Sequence, residues 1–302
     1  KFTTGCYNHY MLVNLVKIFA PTALAFFLGL FITPIATHFF YKYKMWKKYS
    51  RNGVVTAPEF AKIHNEENEL NTPRVGGIII WASVLLTTFL FYLISVFFSS
   101  DTSVKMNFLS RNQTFIPFFT LLFGAIIGLW DDLIQIYGSG KFARDDKSWR
   151  GWKIVLVGAL STLIGFWFYY KLGIVAINIP FDGDLTLGIF IIPLFVLVAL
   201  ATFSGGVIDG IDGLSGGVFA SIFAAYSAIA FANNQIDLAA FSGVVTGAIL
   251  AFLWFNIPPA RFYMGETGMM ALTVTLATLA FLTDSVLILP IVALPLVVTS
   301  LS

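Results

Sequence analysis

The chain has 302 residues, of which 58% are apolar, 17% aromatic and only 11% charged, with a net charge of +2. Ordinary soluble proteins carry roughly 25% charged residues. These values exclude a soluble globule, which would expose aggregation-prone apolar patches, and a disordered, collagen-like or coiled-coil chain. They also exclude a nucleic-acid-binding protein, because 18 Lys and Arg nearly balanced by 16 Asp and Glu leave no polyanion footprint. The composition predicts an all-α integral membrane protein.

From the N-terminus, KFTTGCYNHY lacks a basic segment followed by a small-residue cleavage site, so it reads as a tail or fragment end and not a signal peptide. The single cysteine, Cys6, excludes an internal disulfide, and no Cys/His spacing suggests zinc. Nine apolar runs have lengths suited to membrane spans: 18–41, 76–98, 114–130, 154–170, 185–203, 214–232, 238–255, 268–282 and 285–302. Each is expected to be a helix, since hydrocarbon leaves no partner for an open backbone. The eighth is short, and only Thr283-Asp284-Ser285 parts it from the ninth. Between the fourth and fifth runs, IVAINIPFDGD alternates β-branched residues before a turn signal and predicts a small external hairpin.

Loop charge sets the orientation. The loops 42–75, 131–153, 204–213 and 256–267 hold 13 of the 18 Lys and Arg, and the other loops with the N-terminal tail hold five. The positive-inside rule places the first set in the cytoplasm and the N-terminus outside. Eleven of the 16 acids lie on the same side, which topogenesis does not require. The expected fold is one polytopic domain over 1–302, a bundle of about nine transmembrane helices.

Four segments on that side carry the acids. GLWDDLIQ places Asp131 and Asp132 at the end of the third run, where adjacent carboxylates persist most easily beside a cation or in proton handling. DGIDGLSGG spaces Asp209 and Asp212 three apart, on one face of a helical turn, amid glycines that permit close backbone approach. FNIPPARFYMGETG carries Asn256, Arg261, able to clamp a phosphate, and Glu266 at the start of the eighth run. HNEENELNTPRVGG ends in a turn containing Thr72; its His64 has no partner at i+4 and reads as a surface residue. Each has a plainer reading: a helix end at the interface, a glycine-rich connector, a dipole cap, a turn. Together they suit a divalent cation and a phosphorylated substrate, because Mg²⁺ prefers one or two carboxylates plus substrate phosphates and phosphoryl transfer needs chiefly neutralisation and alignment. No GxxxxGKS or GxGxxG signature is present, and the number of spans points to a lipid as one substrate.

TPRVGG, GLWDDL, DGIDGLSGG and FNIPPARFYMGETG, in this order and spacing, resemble the polyprenyl-phosphate N-acetylhexosamine-1-phosphate transferases over nearly the whole chain. The external IPF segment looks like the muramoyl-pentapeptide branch, to which the chain as a whole is most similar, whereas TPRVGG looks like the N-acetylglucosamine branch. The resemblance implies Mg²⁺-dependent transfer of a phospho-sugar from a UDP-sugar to undecaprenyl phosphate, releasing UMP, at the cytoplasmic face of a bacterial inner membrane, in peptidoglycan synthesis. It implies Asp131, Asp132 and Glu266 as catalytic residues, Asp209, Asp212, Asn256, Arg261 and Thr72 as substrate-binding, and Glu266 with Asp212 as metal ligands. A homodimer is left open. Departures are Glu266 for the usual Asp, Gly206 where the family has Asn, and Glu69 near a usual Lys. The resemblance also implies a His-rich cytoplasmic loop and a tenth span following Ser302. The lipid phosphate attacks either directly or through an aspartyl-phosphate. The competing classes are an ion-coupled transporter and an inactive scaffold.

Overall fold

The structure is a computed structural model and describes residues 2–46, 71–98, 100–109, 113–138, 147–180, 183–206 and 212–301. The elements in chain order are α1 (Phe2–Lys42), α2 (Gly77–Phe97), α3 (Asp101–Met106), α4 (Phe115–Tyr137), α5 (Lys147–Trp167), β1 (Ala176–Ile179), β2 (Gly183–Thr186), α6 (Ile191–Gly205), α7 (Leu214–Ala232), α8 (Ile236–Asn256), α9 (Gly265–Leu282), α10 (Leu289–Val292) and α11 (Leu294–Leu301). Eight of the helices are long and apolar enough to cross a membrane. The protein is an all-α polytopic membrane protein.

The ninth apolar run does not form one continuous helix. It breaks into a 3₁₀ turn (Val286–Ile288), α10 and α11. Pro290 and Pro295 lack the N–H that a continuous helix needs, and each ring crowds the preceding turn. The expected hairpin is present: β1 and β2 pair antiparallel, with Ala176 opposite Thr186 and Ile179 opposite Gly183. Before it, α5 closes in a π turn (Phe168–Leu172) that Gly173 stops at a left-handed φ of 65°. The Asn178 N–H donates to Asp284 Oδ1 at 2.9 Å, tying the hairpin to the turn after α9.

The shortest run is the hub. Every residue from Thr267 to Phe281 on α9 is buried, with α4, α6 and α2 packed around it. A helix surrounded by protein needs small residues for close approach more than it needs hydropathy. Two of its threonines turn their hydroxyls onto their own helix, Thr273 donating to the Met269 carbonyl at 2.7 Å and Thr278 to the Val274 carbonyl at 2.9 Å. Glycines on the neighbours meet it: a Cβ on Gly124 of α4 would lie 2.8 Å from Ala271 Cα, and Cβ atoms on Gly128 and Gly77 would overlap the α9 backbone at Glu266 and Gly268. The same device joins α1 to α8, where Gly243 and Gly247 receive Thr22. A second core lies on the other side of α9, centred on the rings of Phe168, Phe195 and Phe281, with centroids 5.0–6.0 Å apart.

Candidate active site

The ends of α1, α4 and α8 and the starts of α2, α5, α7 and α9 gather on one side of the bundle, where two of the sequence motifs are stitched by backbone hydrogen bonds. The Tyr263 N–H donates to the Pro73 carbonyl at 2.8 Å, Gly76 N–H to Tyr263 at 2.9 Å and Gly77 N–H to Met264 at 2.8 Å. TPRVGG thus lies along FYMG, with Thr72 buried at its start. Gly265 begins α9 at φ 70°, where a Cβ would overlap the Arg74 carbonyl, so a glycine is required on both backbone and contact grounds.

Against that helix start stands Asp132. Its carboxylate accepts from the N–H of Glu266 (3.1 Å), the N–H of Thr267 (2.8 Å) and the hydroxyl of Thr267 (2.6 Å). It therefore caps α9 from a different helix, satisfying amide groups that have no partner within α9 and meeting the positive end of its dipole. Asp131, one residue earlier and turned about 100° around the helix, faces a different partner. It accepts from Gln135 Nε2 at 2.6 Å and pairs with Lys153 Nζ at 2.8 Å. The same ammonium reaches Glu266 Oε1 at 2.8 Å. The side chains of Lys153 and Asp131 are 6% and 4% exposed, and that of Glu266 is 28% exposed. One cation on α5 thus joins carboxylates from α4 and α9, and Glu266 is the member open to a ligand.

The structure brings Asp131, Asp132 and Glu266 together and gives the two aspartates different partners. Asp212 and Asn256 meet at a neighbouring junction. Asn256 Oδ1 accepts from the Gly213 N–H at 3.0 Å, its Nδ2 donates to the Phe262 carbonyl at 2.8 Å, and Asp212 Oδ2 accepts from the Ala260 N–H at 2.9 Å. These contacts hold the start of α7 to the loop before α9. Asp212 and Glu266 have different partners: Asp212 accepts from the Ala260 N–H, whereas Glu266 shares the Lys153 ammonium with Asp131. Arg261 is exposed and stands over the Phe255 ring, 5.5 Å from its centroid, beside α1. Asp209 lies outside the described residues.

Sequence reasoning missed Lys153, Gln135 and Thr267. Lys153 looks like the last basic residue of a loop, but it opens an apolar run (KIVLVGAL), and a lysine there must pair or snorkel. Gln135 lies four residues after Asp131, one helical turn on.

The cap has a testable consequence. Asp132→Asn offers one acceptor oxygen and places an amide against three donors, so we expect a loss of about 2–3 kcal/mol of stability, read as earlier thermal unfolding in detergent. Unchanged unfolding would show that Asp132 does not hold the start of α9.

The family model for glycosyl transferase family 4 matches residues 114–284, more than half of the chain. The chain is 29% identical over 284 residues to the phospho-N-acetylmuramoyl-pentapeptide-transferase of Bacillus subtilis, covering 92% of this chain and 79% of that protein. It is 32% identical to the protein of the same name from Latilactobacillus sakei, with 84% and 73% covered. The one from Chloroflexus aurantiacus is 31% identical, over 78% of this chain and 61% of its own length. On this evidence the chain belongs to glycosyl transferase family 4 and is a membrane-embedded transferase enzyme.

Proposed function

We propose that the protein transfers phospho-N-acetylmuramoyl-pentapeptide from its UDP-linked donor to undecaprenyl phosphate, releasing UMP, with the site on the cytoplasmic face of a bacterial inner membrane. The carrying observation is the chain of charges Asp131–Lys153–Glu266 at the mouth of the bundle, in a family of transferases. The names of the relatives support the donor, and the excess of Lys and Arg on this side of the bundle supports the orientation.

Two anionic phosphates must approach each other, so neutralisation dominates the barrier. Lys153 supplies a fixed, nearly buried positive charge between the two carboxylates. The acceptor phosphate has a second pKa of about 6 and arrives largely ionised, so it needs little help from a base. Asp132 is committed to the α9 backbone, which supports Asp131 as the aspartate that meets the reacting groups, by positioning or by taking up a residual proton.

The donor set suits Mg²⁺, which takes one or two carboxylates and completes its shell with phosphate oxygens and water. Glu266, the more exposed carboxylate, is the residue that would hold it. When bound, the ion supplies charge neutralisation at the pyrophosphate.

The test is UMP release by purified protein given undecaprenyl phosphate, Mg²⁺ and either UDP-MurNAc-pentapeptide or UDP-GlcNAc. We expect Glu266→Ala to abolish turnover and Glu266→Asp, one methylene shorter, to retain part of it. Full activity in the Ala variant would remove Glu266 from the metal site, and turnover with UDP-GlcNAc alone would reassign the donor.

A further inference from the structure

A second polar feature lies on the same side of the bundle, away from the carboxylate centre. The last turns of α1 and the end of α8 enclose a hollow of about 400 Å³. Its α1 wall is one helical stripe that includes Pro34, Thr37, His38, Tyr41 and Lys42, with i+3 and i+4 steps on a single face and a length of about 12 Å from Pro34 to Lys42. Thr37 donates its hydroxyl to the Thr33 carbonyl at 2.7 Å, so it turns a methyl outward and the lower part of the stripe is apolar. At the rim stand Lys42 and Arg261, with His38 below them. Tyr41 Oη donates to the Arg261 carbonyl at 3.0 Å and fixes that rim.

A second hollow of about 440 Å³ adjoins the first, sharing Phe255 and Arg261 and walled by Trp254, Ile257 and the two prolines 258 and 259. Among the described residues no acidic side chain lines either hollow. Neither Lys42 nor Arg261 takes part in an ion pair among the described residues; Lys42 and Arg261 rest over the rings of Tyr43 and Phe255. The depth is that of the headgroups. Lys42 ends the first span, and exposed Tyr41, Tyr43, Tyr137 and Trp254 stand at the same level, the aromatic belt of a membrane interface.

We propose that α1 and α8 hold a resident anionic phospholipid, its phosphate between Lys42 and Arg261 and its acyl chains along the apolar stripe of α1 below them. Basic pockets between transmembrane helices recognise anionic headgroups in this way. The apolar lower stripe of α1 beneath a cationic rim suits acyl chains hanging from an anionic headgroup. The carboxylate centre stands on α4, α5 and α9 and shares no residue with these hollows, so a lipid here does not meet the reacting groups.

Native mass spectrometry of the full chain, titrated in detergent with phosphatidylglycerol, phosphatidylcholine or undecaprenyl phosphate, tests this. The unmodified protein should retain phosphatidylglycerol in clear preference to phosphatidylcholine. Lys42→Gln and Arg261→Gln should each weaken that retention about fivefold, and together about 25-fold, from the worth of one cation near an anionic headgroup. Lys171→Gln, on the opposite side, should leave it unchanged. Equal retention of phosphatidylcholine by the unmodified protein overturns the proposal, even if a variant fails to fold. So does a double variant that binds as the parent does. Undecaprenyl phosphate retention that falls with the double variant as steeply as phosphatidylglycerol retention would overturn it too, making the hollow a substrate site. Lipid binding is read without turnover, so its failure is separable from failure of the transferase reading.

Discussion

Replacing Lys153 by Met is expected to lower UMP release about 10³-fold, the scale of losing one preorganised charged group at a reacting anion. Lys153 Nζ is 2.8 Å from both Asp131 and Glu266, so its loss leaves two carboxylates repelling each other where two phosphates must come together. Breaking a buried pair from one side costs about 3 kcal/mol or more, and here that cost falls chiefly on nearly buried Asp131, because Glu266 keeps part of its hydration. The variant should therefore unfold earlier as well. Adding Asp131→Asn removes the orphaned charge, so the double variant should regain most of the stability and none of the turnover. Thermal unfolding and UMP release on the same preparations separate the two effects. A Lys153→Met protein that turns over normally would show that the cation is only a strut.

Gly128→Ala is the second substitution with a large expected effect, and its sign opposes helix propensity. Alanine is favoured over glycine within a helix by about 1 kcal/mol. At Gly128, however, a Cβ would overlap the Glu266 carbonyl oxygen and lie 2.7 Å from Thr267 Cα. Both atoms belong to the first turn of α9, which Asp132 caps from α4, so α4 and α9 must part. Forcing a methyl into such a contact costs about 2–3 kcal/mol and moves Glu266 away from Lys153. Gly158 on α5 is the control, because a Cβ there meets nothing within 4 Å. Gly158→Ala should be neutral or slightly stabilising, whereas Gly128→Ala should lose both stability and turnover. Equal behaviour of the two would remove the close α4–α9 approach from the account.

Eight of the nine apolar runs form helices, and the hairpin at 176–186 stands where alternation and the turn signal place it. Hydropathy reads these features directly because lipid contact demands apolar length. It reads α9 as the shortest run for the same reason. That helix faces protein on all sides, so Thr, Ala and Gly serve it and its length shrinks. It also passes over Pro290 and Pro295, since a hydropathy sum does not weigh a missing N–H.

The site was legible as a set of residues but not as a set of pairs. Asp131, Asp132 and Glu266 belong to motifs recognisable by spacing, and they do converge. That Asp132 caps a helix while Asp131 holds a cation depends on which face of α4 meets α9, a tertiary fact fixed by Gly124 and Gly128. Lys153 was hidden by its position, for a basic residue at a span's edge looks like a topology signal until its ammonium is seen between two carboxylates. That Glu266 and Asp131 share one ammonium was likewise invisible, because Lys153 comes from a different helix from either.

The most direct test compares UMP release by the unmodified full-length protein and by Lys153→Met, matched for folded protein, with Mg²⁺, UDP-MurNAc-pentapeptide and undecaprenyl phosphate. The account predicts UMP only when donor and acceptor lipid are both present, and about 10³-fold less from the variant. No UMP from the unmodified protein with this donor or with UDP-GlcNAc, or undiminished UMP from the folded variant, would contradict it.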